Sequence, residues 1–498
     1  MKRILLILAL AMTTAVAAAK SEMIPGVFPE PQKHSISLTD YVPFELVKIT
    51  CADAAAIDWA KKHLKLWYGK FTPQIVAESG NTSTMGNEEY TLTIDKNGAV
   101  IKANTLQGAR YALYTLRQLA IPKRGTDEVS GWIVPLSTIE DKPEMEFRGM
   151  HICWFPENEP WEIERMIRLA AYYKLNYAVI EPWGTFQSKV APWWGWDDGK
   201  MTYNEVKRLK AIANDLGITL IPQINLFGHA SNSKSRVGKH ASLSVRPKYQ
   251  PYFEPMAGWN WCLSNPKTKE LQKKLIKEMY ELFDCPPYFH IGCDEASGPS
   301  CPDCIKASYS KLFTEHVQEM SEYVKSLGAR ALMWHDMLIL RNDPRWAGTH
   351  AHGTEETAKF VHKLPKDVII CDWYYKKPMA EYKSLKYFKE LGFEVLACPW
   401  EKAANNRALI KGAHEVGVKG ILGTLWDHYY GISLVNSYVD VANLSWNKNA
   451  KLEVLGREYH NRWALYTHLR QIDWDLKNKI HRRFGVYHYE IMPNIHHH

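Results

Sequence analysis

Between Phe147 and Leu425, short apolar runs alternate with helical segments, and this rhythm limits what the chain can fold into more than any other feature. The runs are Phe147 to Ile152, Tyr177 to Ile180, Thr219 to Ile224, Tyr288 to Ile291, Ala331 to Trp334, Val368 to Cys371, Glu394 to Cys398 and Gly420 to Leu425. Their lengths suit strands. The helical segments often stop at a glycine just before the next run, at Leu216-Gly217, Leu327-Gly328, Leu391-Gly392 and Val416-Gly417. A residue without Cβ accepts the left-handed conformation that ends a helix. Eight β/α repeats over about 290 residues predict an α/β fold, a (β/α)8 barrel of the TIM type, with any chemistry at the C-terminal strand ends.

The barrel is expected over residues 143–450, with a smaller α+β domain before it, over residues 20–142. In that domain a helix is expected from Ala54 to Tyr68. Tyr90 to Ile94 alternates as a strand, turns through Asp95 to Gly98 and returns over Ala99 to Ala103, and a helix follows from Leu106 to Leu119. Residues 451–498 read as a helical extension, with Lys451 to Ile480 packed outside the barrel and a frayed end at Asn494 to His498. Residues 1–19 read as an export signal: Lys2 and Arg3 precede the apolar run Ile4 to Met12, and Ala17 to Ala19 offer a small-residue cleavage site. The mature chain would begin near Lys20 and act in the periplasm or outside the cell. No later stretch approaches the roughly 20 apolar residues that a membrane span requires.

A net charge of +8 from 62 Lys+Arg and 54 Asp+Glu is mild and spread out, which argues against a nucleic-acid partner. Aromatic residues stand out instead, with 19 Trp and 26 Tyr, many in loop-like stretches such as Trp193-Trp194-Gly195-Trp196. Flat apolar faces with a polar edge suit sugar rings. Nine Cys are too few for a disulfide scaffold. Cys301-Pro302-Asp303-Cys304 has the spacing of half a zinc site or a redox pair, but no second such pair accompanies it and Cys293 is the other cysteine close by. A local disulfide or idle thiols are expected there, with a structural metal as the lesser reading.

The barrel expectation makes a further demand, that polar and aromatic residues follow each apolar run. They do, and Trp stands at five of the eight ends: Trp183, Trp334, Trp373, Trp400 and Trp426. At the fourth end, Gly292 is followed by Cys293, Asp294 and Glu295. Two carboxylates crowded in a dry pocket cannot both ionise normally, so one is expected to keep its proton near neutrality and serve as a general acid.

His290-Ile291-Gly292-Cys293-Asp294-Glu295-Ala296 resembles the signature of the family 20 glycoside hydrolases, the β-N-acetylhexosaminidases. Glu146-Phe147-Arg148-Gly149 resembles that family's first barrel strand, Ile221 to His229 its third and Trp334 to Leu338 its fifth, closest to the hexosaminidase D-like branch. The hairpin and Gly108 to Leu119 are similar to the domain that precedes the barrel in many members. The resemblance implies substrate-assisted, retaining hydrolysis of terminal β-linked GlcNAc or GalNAc, in which the sugar's own acetamido group is the nucleophile. It implies Glu295 as acid and base and Asp294 as the carboxylate that holds the acetamido N–H. It also implies sugar contacts from Arg148, His229, His290, Trp334, Asp336, Trp373, Tyr374 and Trp426. His229 and His290 have a second reading, satisfying buried backbone groups. The tyrosine for the acetamido oxygen is left open among Tyr374, Tyr375, Tyr429 and Tyr430. The partner is a glycan, and no metal or organic cofactor is needed.

Departures from the family pattern fall at Gln223 and Asn225, at Cys398 to Glu401 and at Trp426-Asp427-His428, positions expected to touch O4 and O6 of the sugar. They leave two alternatives open: a barrel that binds carbohydrate without cleaving it, and a two-carboxylate glycosidase using Glu181 or Glu401 as nucleophile.

Overall fold

The computed structural model describes residues 27–450, except 66–71, 125–128, 197–198, 233–236, 256–257, 427–428 and 430–431, together with 465, 468–473 and 476. The expected export signal over residues 1–19, Asp427, His428, Tyr430 and the terminal Asn494 to His498 lie outside the described residues. The described chain forms two compact units. One runs to Pro143 and includes residues of 449–474, and the other runs from Glu144 to Lys448.

The first unit is built on a seven-stranded sheet. Its strands are β1 (Lys33–Pro43), β2 (Leu46–Cys51), β3 (Gln74–Ala77), β4 (Tyr90–Asp95), β5 (Gly98–Ala103), β6 (Ile121–Arg124) and β7 (Val129–Asp141). They are ordered β1-β7-β4-β5-β2-β3, and β6 pairs with β7. The hairpin pairs Asp95 with Gly98, and Gly98 sits at φ +113° with its α-carbon against the backbone of Leu46, so a side chain there would clash. The helix Leu106–Leu119 starts where the Thr105 hydroxyl accepts from the Gly108 N–H, and it buries Tyr111, Leu113, Leu116 and Leu119. The earlier helix covers Ala55–His63 and ends sooner than expected, because Leu64 leaves helical geometry at ψ 68°. The described residues of 449–474 group with this unit, whereas Leu476 groups with the second. Leu465, Leu469 and Ile472 recur at helical spacing and are buried, and His468 packs edge-on against Phe28 at 6.0 Å.

The second unit is the barrel. Its strands are β8 (Phe147–Trp154), β9 (Tyr177–Pro182), β10 (Thr219–Pro222), β11 (Tyr288–His290), β12 (Arg330–Trp334), β13 (Ile369–Trp373), β14 (Glu394–Cys398) and β15 (Gly420–Leu425). All pair in parallel, in the order β10-β9-β8-β15-β14-β13-β12-β11. Closure comes between the two ends of that order, where Ile224 N–H donates to His290 O at 3.0 Å and Leu226 N–H to Ile291 O at 3.1 Å. A helix follows every strand, from Pro160–Tyr172 after β8 to Ile432–Trp446 after β15. Val179, Ile221, Leu332, Ile369, Leu396 and Leu422 fill the interior. Interior packing closes the lumen and leaves the strand ends as the place for a site.

That direction corrects one expectation. Arg148 is the second residue of β8, at its N-terminal end, and Trp154 at the other end lies about 20 Å further along an extended strand. Arg148 is fully buried, donates from Nε to Lys174 O at 3.1 Å and from Nη1 to Met145 O at 2.7 Å, and lies over the Trp446 ring. It secures the closed end of the barrel and does not face a sugar.

Candidate active site

The chain leaves β11 through a run of left-handed residues: Gly292 at φ +65°, Cys293 at +70° and Glu295 at +45°. For residues with a Cβ this conformation costs roughly 1–3 kcal/mol each, so it persists only where neighbours enforce it. Gly292 N–H donates to His290 Nδ1 at 3.0 Å, Cys293 N–H to Asn225 Oδ1 at 3.0 Å and Glu295 N–H to Asp336 Oδ2 at 2.9 Å. The Glu295 carbonyl accepts from Trp259 Nε1 at 2.8 Å. The turn aims Asp294 and Glu295 at one point, the Nε2 of His229, 3.4 Å from Asp294 Oδ2 and 3.2 Å from Glu295 Oε2. Gly228 allows this approach, because a Cβ there would lie 2.2 Å from the Asp294 carbonyl oxygen. Gly228→Ala is therefore expected to cost about 1–3 kcal/mol of stability and to displace Asp294. Thermal unfolding measured beside glycosidase rate checks this, and wild-type values for both would show that the contact is not confining.

The charges are arranged differently from the expectation. Burial works to raise the Asp294 pKa, but the charges of His229 and Lys239 outweigh it, and hydrogen bonds with His229 and Asn225 add to them, so the carboxyl is held well below its usual range. The hydrogen bond with His229 likewise lowers Glu295, against burial. Burial opposes charge on His229, yet the Asp294 carboxylate overcomes it and raises its pKa. His229 lies between the two acids and shifts both downward, so each gives up its proton more readily than an isolated carboxyl. Their exposures differ: the side chain of Glu295 is 32% accessible and that of Asp294 9%.

Below Asp294 lies a buried ionic cluster. Glu181, at the end of β9, takes Lys239 Nζ at 2.7 Å, Gln223 Nε2 at 2.7 Å and His151 Nε2 at 3.0 Å. Burial alone would raise Glu181, but the Lys239 charge prevails and holds it at about 2. Gln223 and Asn225 are both fully buried, which corrects their expected contact with O4 and O6. Gln223 holds Glu181, while the Asn225 amide donates to Asp294 Oδ1.

The other expected sugar contacts divide. Trp373 and Trp426 line the mouth above the barrel core. Trp373 donates from Nε1 to Asp336 Oδ1 at 3.1 Å and stacks on His350 at 4.0 Å. Half-buried Trp426 donates to the Tyr375 hydroxyl at 2.9 Å. Trp334 is fully buried beneath them, 4.4 Å from the His290 ring and 5.7 Å from Trp426, so it forms the floor. His290 is fully buried too, its pKa pushed down to about 3 by burial, and it serves the Gly292 backbone. Asp336 has no exposed surface and is occupied by Glu295 N–H, Trp373 and His352 Nδ1, the last at 2.8 Å, so it braces the loop and does not touch substrate. Tyr374 points away into packing with Tyr382, and Tyr429 is buried with its hydroxyl on Cys153 O. Of the open tyrosines that are described, Tyr375 is the one at the mouth, between Trp373 at 5.0 Å and Trp400 at 5.4 Å. Asn225, Lys239, His352 and Trp259 are site residues that the sequence did not single out for these roles.

A closed parallel barrel with a pair of aligned carboxylates and aromatic walls at its C-terminal mouth defines a carbohydrate-type barrel site. Residues 154–439 match the family model "Glycosyl hydrolase family 20, catalytic domain", and residues 25–142 match "Glycosyl hydrolase family 20, domain 2". The chain belongs to glycosyl hydrolase family 20. It is 24% identical over 390 residues to a β-hexosaminidase of Vibrio furnissii, covering 70% of this chain and 58% of that protein. It is 25% identical over 323 residues to a lacto-N-biosidase of Bifidobacterium bifidum, covering 60% of this chain and 25% of that protein. Among solved structures it resembles a GH20 exo-β-N-acetylglucosaminidase from Vibrio harveyi, with TM-score 0.66 and 17% identity, covering 91% of this chain and 78% of that one. A β-N-acetylhexosaminidase from Bacteroides fragilis gives TM-score 0.63 and 18% identity, covering 90% and 95%.

Proposed function

We propose that this protein is an exported, exo-acting β-N-acetylhexosaminidase that removes terminal β-linked GlcNAc or GalNAc by substrate-assisted, retaining hydrolysis. The observation that carries the reading is the division of labour within one acid pair: Asp294 deep, anionic and fixed by Asn225, Glu295 more open, both facing one histidine beneath aromatic rings. In the proposed reaction the acetamido carbonyl oxygen attacks C1 as Glu295 gives its proton to the leaving oxygen. The positive charge that develops on the resulting oxazolinium lies against Asp294, whose preset negative charge needs no reorganisation. Water, deprotonated by Glu295, then opens the ring with overall retention. Glu181 is a poor nucleophile, with its oxygens already taken by Lys239, Gln223 and His151 and no solvent access. The named activities of the Vibrio relatives agree with this substrate class.

Turnover of aryl β-GlcNAc and aryl β-GalNAc is expected, with release from the matching β-glucoside at background, because a hydroxyl at C2 cannot act as the internal nucleophile. A kinetic panel of the three checks this; comparable hydrolysis of the glucoside removes the substrate-assisted mechanism, and binding without turnover on any of them leaves a lectin-like barrel. Export is tested separately, by N-terminal sequencing of the secreted or periplasmic protein, which should begin near Lys20.

A further inference from the structure

The loop that carries Asp294 and Glu295 runs on to Cys301 and Cys304, and their neighbour is not Cys293, whose thiol is buried on Ile291 O. It is Cys262, which enters from the loop after β10. Cys262 Sγ lies 3.9 Å from Cys301 Sγ and 3.7 Å from Cys304 Sγ. All nine cysteines are free thiols, so of the two states expected at Cys301 and Cys304 the structure has unpaired thiols and not a disulfide. A disulfide requires sulfurs about 2.05 Å apart. Tetrahedral zinc with Zn–S bonds of about 2.3 Å sets neighbouring sulfurs about 3.8 Å apart, close to the separations here.

A fourth donor completes the figure. Ser264 Oγ lies 3.1 Å from Cys304 Sγ, 3.4 Å from Cys262 Sγ and 3.8 Å from Cys301 Sγ, so it stands at the remaining corner. Cys262 and Cys304 are buried. Glu254, also buried, takes the N–H of Ser300 at 2.9 Å and that of Cys301, which fixes the turn presenting the two-cysteine motif.

We propose that Cys262, Cys301 and Cys304, with Ser264 at the fourth corner, form a structural site for one Zn2+. Three thiolates and a hydroxyl oxygen suit a divalent ion that tolerates sulfur and has no redox chemistry. The ion would clamp two loops that already meet through Asn260, which donates to Ser297 O at 2.6 Å and accepts from Ser297 N–H at 3.1 Å. One of those loops carries the acid pair and the other carries Trp259, which touches both Glu295 and His229. Binding would release the thiol protons to solvent, so loading should strengthen as pH rises.

The full-length protein, purified under reductant without chelator, should hold one zinc per chain by elemental mass spectrometry. Titration with a thiol-specific mercurial should release that zinc into a chromogenic dye as three thiols react, and Co2+ exchange should give thiolate charge-transfer bands. Cys301→Ser and Cys304→Ser should fall to about a tenth of a zinc or less under conditions where tight structural sites stay loaded. Cys285→Ser, an exposed thiol elsewhere, should keep it. The unfolding temperature of the wild type should drop on prolonged chelation, and that of Cys301→Ser should not respond. A wild-type protein with no bound metal after zinc loading, or one with two of these three cysteines joined as a disulfide by mass spectrometry, overturns the site. These readouts do not depend on turnover, so the zinc site and the hydrolase reading can fail separately.

Discussion

Glu295→Gln is expected to lower kcat/KM on unactivated β-N-acetylhexosaminides by about 10²–10⁴-fold, the usual contribution of a positioned general acid. The substitution preserves shape, and the backbone at residue 295 is held independently by Asp336 and Trp259, so the folded structure should persist. What is lost is the proton for the leaving oxygen and the later base for water. A substrate with a good leaving group needs less of the first, so its loss should be smaller. The pH dependence gives a second reading of the same residue. The hydrogen bond with His229 holds the free carboxyl below its ordinary 4.5, and kcat/KM reports the free protein, so it should decline as pH rises through that lowered value. His229→Ala removes the first cause of the lowering and should move the limb toward higher pH. A loss under tenfold in Glu295→Gln on unactivated substrates would put the acid elsewhere in the chain.

All eight barrel strands were legible because a strand buried on both faces leaves an uninterrupted apolar run, and every observed boundary lies within two residues of its run. The run Thr219 to Ile224 exceeds its strand by two residues, since the chain past Pro222 meets β11 through the single Gln223–His290 bridge at closure, which alternation cannot register. The acid pair was legible from its position after Gly292. Its electrostatics were not, because the sign of the pKa shifts is set by His229, which the fold delivers from another strand end. Arg148 shows the limit of a motif: the likeness identified the strand correctly but not which end of it the side chain serves. Cys262 and Lys239 carried no local signal, as their partners Cys301 and Glu181 lie 39 and 58 positions away. Contacts of that span exist only once the barrel brings its loops together.

Lys239→Met is expected to destabilise the fold by about 3–5 kcal/mol at pH 7, the cost of removing one member of a buried pair and leaving the other charge uncompensated. Glu181 and Lys239 are each only 1% accessible, so water cannot solvate a carboxylate left alone. Glu181→Gln should cost a similar amount by stranding the ammonium, which also lies 5.2 Å from the rings of Trp183 and Trp426. The double variant should be more stable than the two losses added together, because neither charge is stranded and the glutamine oxygen can still accept from Gln223 or His151. The acid response has a fixed sign. A carboxyl lowered to about 2 from 4.5 adds stability above its unfolded pKa, and that stability is lost as pH falls from about 4.5 to about 2. Lys239→Met removes the charge that does the lowering, so its acid-unfolding midpoint should move to higher pH than that of the wild type. Lys239 also helps to hold Asp294 ionised, so the rate of Lys239→Met should suffer most at the acid end of the pH profile, where Asp294 would begin to take up a proton. Denaturant titrations at pH 7 and an acid titration of each variant provide the measurement, and a loss under about 1 kcal/mol for Lys239→Met, the range of exposed pairs, would mean that water reaches this cluster in solution.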